Sequence, residues 1–115
     1  MEDMQLSRGR PKNEAVEGLI DDAQTMVEGI KNEKVLDTAL IGAVQKIEHY
    51  CIASWGIAAA LGRALGCQPA VETFERALDE GKEFDKSMTE LAVTEINPAA
   101  LGATTSKGGG RPAIN

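Results

Sequence analysis

The chain has 115 residues, with twelve Lys and Arg against eighteen Asp and Glu, and a formal net charge of −6. This length suffices for one small domain, and the acidic balance argues against non-specific binding to nucleic acid or to an anionic membrane. No apolar run approaches the roughly 20 residues of a membrane-spanning helix. The first twelve residues lack the apolar core of a signal peptide. We therefore expect a cytoplasmic protein without a membrane partner.

The chemistry-bearing residue types are few. Cys51 and Cys67 are too few for a disulfide framework and form no Cys-x-x-Cys pair, so both are expected to be small hydrophobes. His49 is the single histidine, which excludes a histidine-rich zinc site within one chain. Aromatic residues make up 3% of the chain, and the many alanines and leucines favour close-packed helices over a sheet.

The predicted elements follow in chain order. Residues 1–12 are polar and are predicted to form a flexible basic arm or linker. A first helix runs from the capping residue Asn13 to Gly29, because its apolar residues recur at steps of three and four. A second, longer helix begins after Asn32 and ends at Gly66. Its apolar seam is heptad-like, as in a helical bundle, and consists of Leu40, Val44, Ile47, Cys51, Ser54, Ala58, Leu61 and Leu65.

A third helix starts with Pro69 at its first position and runs to about Val93. Prolines and a glycine run then break the pattern, so residues 97–115 are predicted to be a flexible tail. The helical domain is thus expected over residues 13–96. The inward face of the third helix consists of Val71, Phe74, Leu78, Gly81, Asp85, Met88 and Ala92.

Two acids, Glu48 and Asp85, fall on apolar faces. A buried carboxylate must be protonated, hydrogen-bonded, paired with a cation or bound to metal. Glu48 lies seventeen residues before Leu65 and Asp85 sixteen after Pro69. At about 1.5 Å per residue, both are roughly 24–26 Å from the turn, so they are predicted to face each other at one level. Facing carboxylates are typical of metal sites in bundles, but rim or paired carboxylates explain the pattern as well.

Three stretches carry a family resemblance: AVEGLIDDA, DTALIGAVQKIEHYCIASWGIAAALGRALG and ALDEGKEFDKSMTELA. In this order they resemble the YciE/YciF-type ferritin-like family over roughly residues 13–92. The resemblance implies a four-helix bundle with a smaller crossover helix, onto which the first helix maps. The other two map onto the last two bundle helices, and the two N-terminal bundle helices have no counterpart. The expected fold class is therefore all-α, a ferritin-like helical bundle fragment with a crossover helix plus a long antiparallel helix pair.

The resemblance also implies a metal centre, which carries over unevenly. Glu48 and Asp85 match family acids, whereas Cys51 and Gly81 stand where the family usually has glutamates. The candidate metal ligands are thus Glu48 and Asp85, with the Cys51 thiolate as a third candidate. Iron or manganese is implied if an oligomer rebuilds the site, and an intact di-metal centre in a monomer is not expected. His49 also matches the family, but it is predicted to face away from the seam and to contact the crossover helix.

The stretch RGRPK places Arg8 and Arg10 in a pattern that resembles the core of an AT-hook, whose arginines enter an A·T minor groove. The family often has a basic Gly/Pro linker at this point. A linker is therefore the preferred interpretation, and nucleic acid is not an expected partner.

No nucleophile–base pair and no phosphate-binding loop can be found, so the sequence gives no ground for proposing an enzyme. By resemblance, the expected function is that of a stress-associated ferritin-like protein with a degenerate or weak di-metal carboxylate site. The alternative is a structural or interaction helical module without metal. A crossover helix and two bundle helices leave an apolar face uncovered, which predicts a homodimer or homo-oligomer.

Overall fold

A computed structural model describes the backbone of residues 12–108 and the side chains of residues 12–102. No strand occurs within these residues, so the predicted all-α class is confirmed. The elements in chain order are α1 (Glu14–Gly29), α2 (Glu33–Ala64), α3 (Gln68–Leu91), a π-helical segment (Ala92–Ile96) and α4 (Asn97–Gly108).

Two asparagines begin the first two helices, as predicted. Asn13 Oδ1 accepts a hydrogen bond from the Val16 N–H at 3.1 Å. Asn32 Oδ1 accepts from the N–H groups of Lys34 at 2.9 Å and Val35 at 3.2 Å. Each side chain satisfies backbone donors that have no partner inside the helix.

The turn between α2 and α3 is a Schellman motif centred on Gly66, whose φ of 71° is readily adopted only by a residue without a Cβ. The Cys67 N–H donates to Gly62 O at 2.9 Å, and the Gly66 N–H donates to Arg63 O at 3.1 Å. This short reversal makes α2 and α3 antiparallel neighbours. The predicted helix pair is therefore present.

The face of α2 that packs on α3 differs from the predicted seam. Contacts with α3 come from Glu48 and Ile52, which meet Gly81, and from Trp55, which stacks on Phe74 at 5.8 Å between ring centroids. The residues of this face recur at steps of three and four: Gln45, Glu48, Ile52, Trp55, Ala59 and Gly62. The predicted seam was wrong in its second half, because Ser54, Leu61 and Leu65 are exposed. The error arises because α2 is apolar around most of its circumference, so two stripes have the same spacing.

The crossover helix α1 lies beside the first half of α2. Its capping residue Asn13 exchanges hydrogen bonds with the Tyr50 hydroxyl, at 3.1 and 3.3 Å. Only three residues separate the end of α1 from the start of α2. α1 therefore runs antiparallel to α2 and reaches no further along it than about Tyr50.

The predicted helix end near Val93 is wrong, because helical structure continues to Gly108. Pro98 would ordinarily end a helix, since it lacks an N–H and clashes with the carbonyl four residues earlier. Here a wider turn precedes it, in which the Asn97 N–H donates to Ala92 O. Residues 97–108, which were predicted to belong to a tail, thus form α4. The Thr38 hydroxyl donates to Asn97 Oδ1 at 3.0 Å and joins α4 to α2.

The resulting structure is elongated and has a thin core. Its extents are 66 × 27 × 19 Å and its radius of gyration is 19.4 Å, against about 13 Å for a compact domain of 100 residues. The buried hydrophobic residues of the described part are small: Ala43, Ala59, Val71, Ala92 and Ala100. Most larger apolar side chains therefore keep part of their surface open.

Candidate functional site

Asp85 lies on the face of α3 that packs on α2, and both of its carboxylate oxygens meet nitrogen atoms from α2. Gln45 Nε2 is 3.2 Å from Asp85 Oδ1, and His49 Nε2 is 3.0 Å from Asp85 Oδ2. Gln45 and His49 are four residues apart, so one turn of α2 presents both side chains to one carboxylate. Asp85 is therefore satisfied by groups of the protein itself.

The Gln45 amide extends the arrangement along α3. Its Nε2 also donates to the Asp85 backbone carbonyl at 3.3 Å and to the Thr89 hydroxyl oxygen at 2.7 Å. We call Gln45, His49, Asp85 and Thr89 the Asp85 cluster. The Asp85 side chain is 21% exposed and that of His49 is 65% exposed, so the cluster lies at the edge of the helix pair. Its hydrogen bonds join α2 to α3 at the side of the interface.

The prediction that His49 contacts the crossover helix is wrong. Tyr50 makes that contact, through Asn13, and His49 points to Asp85 on α3. The reason is the true orientation of α2. Since α3 packs on the stripe that contains Glu48, the next residue lies about 100° around the helix, within reach of the edge of α3.

Glu48 faces α3 as predicted, but opposite Gly81. A Cβ atom placed on Gly81 would lie 2.6 Å from Glu48 Oε2 and 3.2 Å from Ile52 Cγ1. Gly81 precedes Asp85 by one turn, or about 6 Å. The predicted common level of Glu48 and Asp85 is therefore displaced by a turn. Among the described residues, the Glu48 carboxylate receives no hydrogen bond and no cationic partner.

The two cysteines differ in exposure. Cys51 is half-buried and Cys67 is exposed, and both thiols are free. Within the described part of the chain, no three His, Cys, Asp or Glu side chains are placed to hold one metal ion. Of the sequence-predicted ligands, Glu48 and Asp85 thus both lie at the interface of α2 and α3, and among the described residues Cys51 forms no group of three ligands with them.

Gln45 and Thr89 belong to the site but were not predicted from the sequence. A signal for each was present, because Gln45 lies three residues before Glu48 and Thr89 four residues after Asp85, on the same helical faces. Neither residue type attracts notice in a search for metal ligands. Both are neutral: the Gln45 amide donates to the Asp85 carboxylate, and the Thr89 hydroxyl accepts from Gln45.

The donor set of one chain does not fit a ferritin-like di-metal centre. Such centres use a Glu from each of two helices and a Glu-x-x-His pair from each of two others. Here the position three residues after Glu48 is Cys51, and the position opposite Glu48 is Gly81. Asp85 has its oxygens engaged by Gln45 and His49. Within residues 12–102, the interface of α2 and α3 therefore offers the Glu48 carboxylate without a protein partner.

No helix in the described part of the chain has the length and hydropathy to cross a bilayer.

Comparison with known proteins gives one consistent answer. A family model described as "Domain of unknown function (DUF892)" matches residues 1–101. The chain is similar to Protein YciF of Escherichia coli (strain K12), with 42% identity over 91 residues. These cover 79% of this chain and 55% of that protein, so the chain spans about half the length of the curated relative it matches.

The solved structures agree. The fold is similar to the crystal structure of the E. coli stress protein YciF, with a TM-score of 0.74 and 40% identity. The match covers 83% of this chain and 60% of that one. The likeness therefore confirms a ferritin-like helical architecture and leaves two fifths of the relative without a counterpart here.

Proposed function

Because this chain belongs to the YciE/YciF-type ferritin-like family, whose model is described as "Domain of unknown function (DUF892)", we propose that it is a ferritin-like helical assembly module with a degenerate carboxylate site. In this proposal the site has become structural, and the Asp85 cluster fastens α2 to α3. The observation that carries the proposal is the engagement of both Asp85 oxygens by Gln45 and His49. A carboxylate that meets two side-chain nitrogen atoms of its own chain is satisfied without a metal ion.

A double-mutant cycle tests the structural role. We expect Asp85→Ala to lower the free energy of unfolding by about 1 kcal/mol, because it removes the carboxylate that Gln45 and His49 contact, while the Gln45 amide keeps the backbone carbonyl of residue 85 and the Thr89 hydroxyl as acceptors. His49→Ala should cost less, because its side chain is largely exposed, and the coupling energy of the two changes should be about 0.5–1 kcal/mol. Lys86→Ala, an exposed neighbour, is the control. Strictly additive effects of the Asp85 and His49 changes would contradict the proposal.

A weak di-metal carboxylate site is the second candidate, and the unpartnered Glu48 carboxylate beside Gly81 favours it. In a symmetric dimer two copies of Glu48 and of Asp85 could approach, and iron or manganese is the metal that suits such a carboxylate set. The test is the metal content of the purified chain and of Glu48→Gln, with exposed Glu72→Gln as the matched control. Stoichiometric metal that only Glu48→Gln loses would favour this candidate over the structural one.

A stress-associated role, a cytoplasmic location and a homodimeric state belong to the same proposal. The words "stress protein" describe the similar E. coli structure. The two free thiols suit a reducing compartment. Quantifying the protein in fractionated cells, with and without stress, tests the first two: unchanged abundance or a non-cytoplasmic fraction would count against them.

A further inference from the structure

A groove separates the beginning of α2 from α4. Its lining consists of Val35 and Thr38, three residues apart on α2, and of Asn97, Ala100 and Leu101, at steps of three and four on α4. Residues at this spacing lie on one face of a helix, so each helix contributes one face to the groove. The volume is about 400 Å³, which is within the usual range of small-molecule sites, roughly 300–1,000 Å³.

The side chains of the lining are too short to fill the groove. Ala100 is buried and contributes a single methyl group, and Thr38 is half-buried. Leu101, the largest side chain of the set, is 50% exposed. An interior packed to ordinary density leaves no space of this size. An apolar molecule that fits the groove would therefore become buried without displacing a side chain.

The lining carries no charge and has one pair of polar groups. The Thr38 hydroxyl donates to Asn97 Oδ1 at 3.0 Å. Within the described part of the chain, Asn97 Nδ2 makes no hydrogen bond, and Thr38 Oγ1 keeps lone pairs that can accept one. This polar pair thus offers one donor and one acceptor. A hydroxyl group matches both, because it accepts one hydrogen bond and donates another.

We propose that this groove binds a neutral amphiphile, an unbranched aliphatic alcohol, with its hydrocarbon chain between α2 and α4 and its hydroxyl on Thr38 and Asn97. A dry cavity of about 150 Å³ binds benzene, so a groove of about 400 Å³ accepts a chain of about eight to ten carbon atoms. A charged head group is disfavoured, because it would leave water without an ionic partner in the lining.

The groove is separate from the Asp85 cluster. Thr38 precedes Gln45 by seven residues, or about 10 Å along α2. Neither Thr38 nor Asn97 contacts His49 or Asp85 among the described hydrogen bonds and ion pairs. The inference therefore goes beyond the proposed function and assigns a second site to the same helix.

The test is an NMR titration of the isotope-labelled 115-residue chain with 1-octanol. We expect saturable shifts of the amides that line the groove, with a dissociation constant of about 0.1–1 mM. 1-Hexanol should bind about tenfold more weakly, because it buries two fewer CH₂ groups. Octanoate should also bind at least tenfold more weakly than 1-octanol, because its carboxylate finds no cation in the lining.

Two variants and one control locate the alcohol. Val35→Trp fills the groove and should abolish the saturable shifts. Val27→Trp is the matched control, because it adds the same side chain at a position on α1 that is 49% exposed, and it should leave the affinity unchanged. Thr38→Val keeps the shape of the side chain, removes the hydroxyl and should weaken 1-octanol binding about fivefold. Thr38→Val keeps the test valid if Val35→Trp fails to fold.

Three outcomes would overturn the inference. The first is the absence of saturable shifts up to the solubility limit of 1-octanol. The second is equal affinity for 1-octanol and octanoate, which would exclude selection of a neutral ligand. The third is unchanged binding in both Val35→Trp and Thr38→Val, which would place the alcohol elsewhere, such as on the exposed side chains of Ile57 and Leu61.

Discussion

Gly81→Ala tests the position of Glu48 most sharply, because two opposing effects have known sizes. Within a helix, alanine is more favourable than glycine by about 1 kcal/mol. The new methyl group, however, would lie 2.6 Å from Glu48 Oε2 and 3.2 Å from Ile52 Cγ1. Glu48 Oε2 is the far end of a flexible, half-buried side chain and can turn aside at little cost, whereas Ile52 Cγ1 must yield by a few tenths of an ångström. We therefore expect these adjustments to offset most of the helix-propensity gain, so that Gly81→Ala leaves the stability about unchanged.

A Glu48→Ala background isolates the effect of the Glu48 carboxylate on Gly81→Ala. Removing the carboxylate leaves only the milder contact with Ile52, so the same Gly81→Ala change should be neutral or slightly stabilising. The coupling between positions 48 and 81 should be about 0.5 kcal/mol, measured by urea unfolding followed by circular dichroism. Gly18→Ala on α1 is the control, since a Cβ there meets nothing within 4 Å. It should stabilise both backgrounds by about 0.5–1 kcal/mol.

One outcome would contradict the position of Glu48 over Gly81. If Gly81→Ala stabilised the parent chain as much as Gly18→Ala does, Glu48 would not lie over Gly81, and the helix pair would have a different register.

Three further changes have expected outcomes. Glu48→Gln keeps the shape of the side chain and removes a charge that has no partner among the described residues, so the thermal midpoint should stay constant or rise. A lower midpoint together with loss of metal would instead favour a metal site at Glu48. Removing residues 97–115 should lower the thermal midpoint by several degrees, because it deletes Ala100, which is 9% exposed, and the hydrogen bond of Thr38 to Asn97. Removing residues 109–115 is the control and should leave the midpoint unchanged. Equal effects of the two deletions would show that α4 contributes no packing. Changing Arg8 and Arg10 to Ala should leave binding to A·T-rich duplex unaltered, and salt-sensitive binding that only the parent shows would restore the AT-hook interpretation.

Much of the fold could be predicted from the sequence, because its signals are local. Asn13 and Asn32 begin helices, and Gly66 ends one, through side-chain or backbone geometry that extends over a few residues. The end of the last helices could not be predicted in the same way. Pro98 indicates a break, and only the π-helical turn before it allows the helical structure to continue.

The two acids of the candidate site could be predicted from the sequence, but the side chains that each one contacts could not. Glu48 and Asp85 were identified because acids on apolar faces are conspicuous. Which partner each one meets depends on the rotation of α2, and a helix that is apolar around its circumference does not fix that rotation by pattern alone. The predicted rotation of α2 was wrong and placed His49 on the side away from α3. Its contact with Asp85 could therefore not be predicted.

The most direct test of the central claim, that Asp85 is held by protein donors and not by metal, is the NMR spectrum of the single histidine. In alkaline buffer, where a free imidazole is neutral, we expect His49 to carry its proton on Nε2, because that ring nitrogen lies 3.0 Å from Asp85 Oδ2. Asp85→Ala should convert the ring to a mixture of tautomers, and equimolar Mn²⁺ should leave the parent spectrum unchanged. The claim would be contradicted if the imidazole signals were the same in the parent chain and in Asp85→Ala, and if Mn²⁺ broadened them in the parent chain but not in Glu48→Gln.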